Sequence, residues 1–75
     1  MNKYIYAECP VDVWPSIKSV MAISYNDAVD KLLVKYSDSL EDEDILKFDT
    51  FESFRDYLNN NYEIALSDLE IYEEL

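Results

Sequence analysis

Carboxylates are the reactive groups this chain carries in quantity, and their spacing decides what they can do. Asp49, Glu52 and Asp56 recur at three and four positions, which on a helix places them on one stripe with Cβ atoms roughly 5 to 6 Å apart. Ahead of them Glu41, Asp42, Glu43 and Asp44 form an unbroken run, with Asp38 nearby. Such groups serve proton transfer, cation binding, or recognition of a basic surface.

Proton transfer needs burial that splits the pKa values of neighbouring carboxylates. Glu63, Asp68 and Glu70 are formally available, but no pattern marks a concave apolar pocket around them. Histidine is absent, which removes the commonest general base and the commonest zinc ligand. The single Cys9 has neither a histidine to activate it nor further thiolates to share a metal. Glycine is absent too, so a Walker loop, a dinucleotide-binding fingerprint and an EF-hand cannot be written in this chain. Consecutive acids at 41–44 point apart, whereas a calcium loop needs ligands at alternate positions. The expectation is a protein that is not an enzyme and carries no cofactor and no metal site.

Recognition remains, and the distribution of charge favours it. Residues 1–37 hold four acids and four lysines, whereas residues 38–75 hold thirteen acids against Lys47 and Arg55. The whole net charge of −11 therefore belongs to the second half, which implies a one-sided field. Duplex DNA presents one negative charge per about 1.7 Å of axis, and a dense acidic edge competes for the same basic groove. Glu41, Asp42, Glu43, Asp44, Asp49, Glu52 and Asp56 are the residues expected to meet such a partner, a basic protein of the nucleic-acid-binding or nuclease kind. The same charge repels phosphate, so direct nucleic-acid binding, including base stacking on Tyr4 and Tyr6, is not expected. Tyr57, Tyr62, Tyr72 and Trp14 are candidates for interface anchors or for core.

These side chains need elements to hold them. Lys3–Glu8 reads as a strand with Tyr4 and Tyr6 on one face. Cys9–Pro15, with two prolines, reads as an ordered loop. Ile17–Ile23 reads as a second, more buried strand, giving a long-looped antiparallel hairpin. Ser24 and Asp27 match a capping signature, and Tyr25, Ala28, Val29, Leu32, Leu33 and Tyr36 fall on one stripe of the helix that follows. Val34 lies on the charged side of that helix and breaks its pattern. Ser37–Asp44 is expected as loop and Ile45–Phe48 as a short strand. Asp49, with Glu52 three positions on, is expected to cap a second helix running to about Asn59, with Phe51, Phe54 and Leu58 buried and Tyr57 at the margin. One of Asn59, Asn60 and Asn61 is the expected left-handed stop. Tyr62–Leu66 reads as a strand, and the tail, readable as helix or strand, is expected to be extended.

The resulting order, ββαβαβ, predicts a small single α+β domain over residues 1–75: a mostly antiparallel sheet of three to four strands with two amphipathic helices on one face. At 49% apolar and 15% aromatic residues the chain should fold. At this size burial and ordering entropy nearly cancel, so self-association as a homodimer is among the expected states. A lone cysteine fits a reducing compartment, with the cytoplasm as the default. The longest uncharged stretch, Ser19–Asn26, is too short for a membrane span.

In size, lack of glycine and histidine, and C-terminal acidity, the chain resembles the small inhibitors encoded by phages and mobile elements, including anti-CRISPR and other DNA-mimic proteins. That resemblance is of composition and carries over no motif. It implies an inhibitor that occupies a basic nucleic-acid-binding surface, in the host cytoplasm if phage-encoded. Two other readings stand beside it: a structural or assembly subunit that pairs through an edge strand or the loop around Trp14, and an antitoxin or immunity protein for a basic nuclease.

Overall fold

Tyr4 and Tyr6 are buried while Ile5 and Ala7 are half-buried, the alternation of a strand with one face on a core. A computed structural model, which describes residues 1–74, places them in β1 (Asn2–Pro10), the central strand of a four-stranded antiparallel sheet. β1 pairs on one side with β2 (Ser16–Ala22), Tyr4 opposite Val20 and Ala7 opposite Ile17. Its other side is shared end to end. Glu8–Pro10 pair with β3 (Ile64–Leu66), and Asn2–Ile5 pair with β4 (Glu70–Glu74), with a register shift between Lys3 and Tyr4. Ser67 bridges the break between β3 and β4: its N–H donates to the Ala7 carbonyl at 3.0 Å, and its Oγ accepts from the Ala7 N–H at 2.8 Å.

The expected extended tail is therefore present as β4, and the hairpin of β1 and β2 is antiparallel. β2, however, is an exposed edge strand, not a buried one: only Ala22 is buried and Val20 half-buried. Its apolar run looked like core because apolarity alone does not say which strand is central.

α1 (Tyr25–Leu40) starts where the capping signature puts it. Ser24 Oγ accepts from the Asp27 N–H at 3.1 Å, and the Asp27 carboxylate accepts from the Ile23 N–H at 3.0 Å. That second bond, helped by Lys31 at 3.4 Å, holds the Asp27 carboxyl below its ordinary value. Ala28, Val29, Leu32, Leu33 and Tyr36 are buried as a stripe, Tyr25 stays at its exposed edge, and Val34 is exposed. The helix runs on through Ser37, Asp38 and Ser39, which had read as loop, because Ser37 is itself buried and half-buried Leu40 continues the apolar row one turn past Tyr36.

Ile45–Phe48 is not a strand. Residues Glu43–Lys47 form a 3-10 helix capped by Asp42, whose Oδ1 accepts from the Asp44 N–H at 3.1 Å, and this turn drops Ile45 into the core with 0% exposure. α2 (Phe51–Tyr62) is capped by Thr50 rather than Asp49, its Oγ1 accepting from the Ser53 N–H at 3.2 Å. Asp49–Glu52 and Thr50–Ser53 share one spacing, so spacing alone could not separate them. α2 also runs past Asn59 to Tyr62, and Glu63, not an asparagine, takes the left-handed position at φ 57°. The order is thus ββααββ with a 3-10 turn between the helices. The buried residues form one cluster, in which Tyr4, Tyr6 and Leu66 of the sheet meet the buried stripes of both helices.

Candidate interaction surface

The acidic residues fall into two groups with different duties. The first surrounds the junction between α1 and α2. Glu41 closes α1 in the left-handed region at φ 53°, its N–H donating to the Asp38 carbonyl. Asp42 is half-buried and fully engaged: besides capping the 3-10 helix, its Oδ2 accepts from the hydroxyls of Tyr57 at 2.5 Å and Tyr62 at 2.7 Å. Tyr57 in turn packs against Phe48, ring centroids 5.0 Å apart. One carboxylate thus ties both turns of the α2 C-terminal half to the chain that precedes α2. Asp42 contributes charge to the surface, while its oxygens are occupied inside the fold. Glu43 is exposed, and Asp44 is exposed with Lys47 3.1 Å away.

These bonds set the ionisation of the cluster. The two tyrosine hydroxyls hold the Asp42 carboxyl below its ordinary value, and Asp42 in return pushes the Tyr57 phenol up to about 12 and raises that of Tyr62. A lowered carboxyl pKa stabilises the fold above the ordinary carboxylate range, and that stability is lost as pH falls through the lowered value; a raised phenol pKa stabilises below about 10 and is lost as pH rises through the raised one. The cluster therefore works throughout the neutral range. Asp42→Ala should lower the melting temperature at neutral pH more than Glu43→Ala or Asp49→Ala does. The gap should narrow as pH falls below the ordinary carboxylate range, where Asp42 takes up a proton in the parent as well. Equal melting temperatures for the three variants at neutral pH would show that the cluster carries no stability.

The second group is the one that faces outward together. Asp49, Glu52 and Asp56 are exposed and line an open cleft of about 620 Å³ between the start of α1, α2 and the chain leaving β3. Glu52 sits in the first helical turn, where an acid also complements the helix dipole. Asp68, from the connection between β3 and β4, joins them. It is positioned by the Tyr25 hydroxyl, which donates to Oδ1 at 2.8 Å, and by the Leu69 N–H at 2.8 Å. Partial burial, then the bond to Asp68, pushes the Tyr25 phenol up to about 12. Arg55 is the cation of this cleft, and it is held inward: Nε donates to the Leu66 carbonyl at 2.8 Å and the guanidinium lies 5.7 Å from the Phe51 ring. Four carboxylates and one engaged guanidinium thus line the same cleft.

The expected stripe of Asp49, Glu52 and Asp56 is therefore assembled, while Glu41, Asp42, Glu43 and Asp44 lie at the other end of the connection that leads into α2. Asp68 and Tyr25 were not among the expected contact residues. They are 43 positions apart, and only the antiparallel return of β3 beside β1 brings the tail to the start of α1. Among the described residues no group of three cysteine or carboxylate side chains is arranged to hold a metal ion, and no helix is long and apolar enough to cross a membrane.

The fold and this surface define a small acidic α+β domain with a four-stranded antiparallel sheet. No protein family matches the chain, and no curated protein or solved structure is significantly similar to it.

Proposed function

We propose that this chain is a non-catalytic binding module, acting in the cytoplasm, whose acidic α2 side occupies a basic nucleic-acid-binding surface of a partner protein. The observation that carries this reading is the gathering of Asp49, Glu52, Asp56 and Asp68 on one open cleft, in the half of the chain that holds the entire net charge of −11. Carboxylates at helical spacing along a rigid element offer a fixed row of negative charge to lysines and arginines that otherwise hold phosphates. The opposing field draws the partners together, which makes association fast and salt-dependent. An inhibitor of a nucleic-acid-binding protein and an immunity protein for a basic nuclease share this chemistry and differ in the partner alone.

The test is affinity capture from a lysate with the tagged protein, elution by a step from low to high salt, and competition of the eluted partner with duplex DNA or RNA. The expected result is a nucleic-acid-binding protein released by salt and unable to hold this chain and its nucleic acid at once. Partners that resist the salt step, or that bind nucleic acid and this chain simultaneously, would overturn the reading.

A further inference from the structure

The stripe of α2 that carries Asp49, Glu52 and Asp56 continues past the cleft. Asn59, three positions after Asp56, lines the near end of the cleft, and Glu63 follows four positions later as the left-handed stop of the helix. The Glu63 carbonyl accepts from the Val11 N–H at 3.0 Å, and Ile64 pairs with Pro10. The turn between β1 and β2 is thereby fastened to the end of the acidic row.

That turn is apolar and exposed. Val11 is 54% exposed, Val13 61% and Trp14 88%. Single apolar side chains are ordinary on a surface, whereas three within four consecutive positions, one of them the only tryptophan of the chain, make a knob. The knob is also stiff. Pro10 and Pro15 bound it, the Val13 N–H donates back to the Pro10 carbonyl at 3.4 Å, and Asp12 turns the chain in the left-handed region at φ 61°, which aspartate tolerates. A stiff knob has little freedom to lose on binding.

We propose that this knob anchors the acidic interface: Trp14 enters an apolar pocket at one end of the partner's basic groove, with lysine or arginine side chains around the pocket's mouth. The proposal rests on the binding role given above and adds the contact that holds the partner once charge has drawn it in. Shape and charge select this occupant. A convex apolar turn calls for a concave apolar site. The segments that flank it, residues 8–16 and 56–66, hold Glu8, Asp12, Asp56 and Glu63 and no lysine or arginine. The rim that fits it is therefore cationic, and an arginine there also stacks on the indole. A phosphate surface, of nucleic acid or of anionic lipid, meets the same carboxylates and is repelled. A second copy brings −11 of its own, and its small hollow beside Ile5 and Ile17, about 140 Å³, is lined by Asp68 and Glu70. Row and knob fit one patch. From Asp49 to Glu63 the row runs about 21 Å, and a standard interface of about 800 Å² a side is roughly 30 Å across.

Rim charges act mainly on the association rate and a buried anchor mainly on the dissociation rate, so the two parts are separable. The test compares the parent, Trp14→Ala and the triple reversal of Asp49, Glu52 and Asp56 to lysine in binding kinetics against the partner purified after capture, at low and high salt. W14A, at an exposed position, should keep the parent circular dichroism and raise the dissociation rate about thirtyfold or more. Its association rate and salt slope should stay near the parent's, and Trp14→Phe, which keeps a ring, should recover part of the loss. An unchanged dissociation rate in W14A, with the triple reversal still weakening binding, would overturn the anchor and leave the charge reading standing. The opposite pattern would overturn the charge reading alone. A chain that holds no protein at low salt would overturn both. Trp14 is the only tryptophan, so a blue shift of its emission with phosphatidylcholine vesicles, or with rising concentration of the chain alone, would overturn the proposal in favour of a lipid surface or a second copy.

Discussion

Phe54→Ala should leave this protein largely unfolded at 37 °C. Phe54 has 0% exposure, and its ring centroid lies 5.7 Å from that of Tyr36 on α1 and 5.9 Å from that of Phe51, so it joins both helices at the centre of the core. Truncating a buried phenylalanine to alanine costs about 3 to 5 kcal/mol, part transfer and part cavity. A chain of this length holds in total roughly 4 to 11 kcal/mol. The loss is thus comparable with the whole stability. Urea titration followed by circular dichroism would read it as a large fall in midpoint, with Phe54→Leu losing much less because it keeps most of the volume. If F54A kept the parent midpoint, the packing of α1 against α2 would be wrong.

The second large effect concerns the acidic cleft. Reversing Asp49, Glu52 and Asp56 together to lysine should weaken binding of the captured partner by about a hundredfold or more, since like charges set against a basic surface cost several kcal/mol. It should also flatten the dependence of affinity on salt. All three positions are exposed, and the cost to the fold is limited to the helix-dipole effect at Glu52, about 0.3 to 1 kcal/mol. The control is the triple reversal of Glu70, Glu73 and Glu74, which changes net charge by the same amount on another surface. If both triples weakened binding equally, only net charge would matter and no surface could be assigned. If neither did, the acidic side would serve solubility alone.

How far the sequence foretold this arrangement depended on how local each signal was. Ser24 with Asp27 and the stripe from Ala28 to Tyr36 act within a few turns, and the structure keeps both. The stripe Phe51, Phe54 and Leu58 survived as well, even though the cap moved from Asp49 to Thr50, because the apolar phase is independent of which oxygen reaches the first N–H groups. Readings failed where a distant partner decides. Ile45–Phe48 has too few residues to show a period, and what caps it into a 3-10 turn is Asp42, held in place by Tyr62 at the end of α2 and by Tyr57 a little over one turn before it. Those tyrosines also explain why α2 outruns Asn59: Tyr62 must remain helical to reach Asp42. On the surface, the stripe of Asp49, Glu52 and Asp56 was legible from spacing alone, whereas Asp68 entered through the pairing of β3 with the far end of β1.

The central strand meets its neighbours at very different distances along the chain. Its partner β2 follows within a short loop, while Tyr4 pairs with Ile71, near the other end of the described residues. Closing so long a stretch must be compensated in entropy before any of its hydrogen bonds form, which slows folding. Until then the chain has the β1–β2 hairpin with both of its flanks bare, and the glutamates that will guard one flank have not yet arrived. The half-built sheet therefore exposes more bare strand edge than the finished one, which leaves β2 alone uncovered on its outer side. The slower that closure, the longer the bare hairpin stays open to other chains.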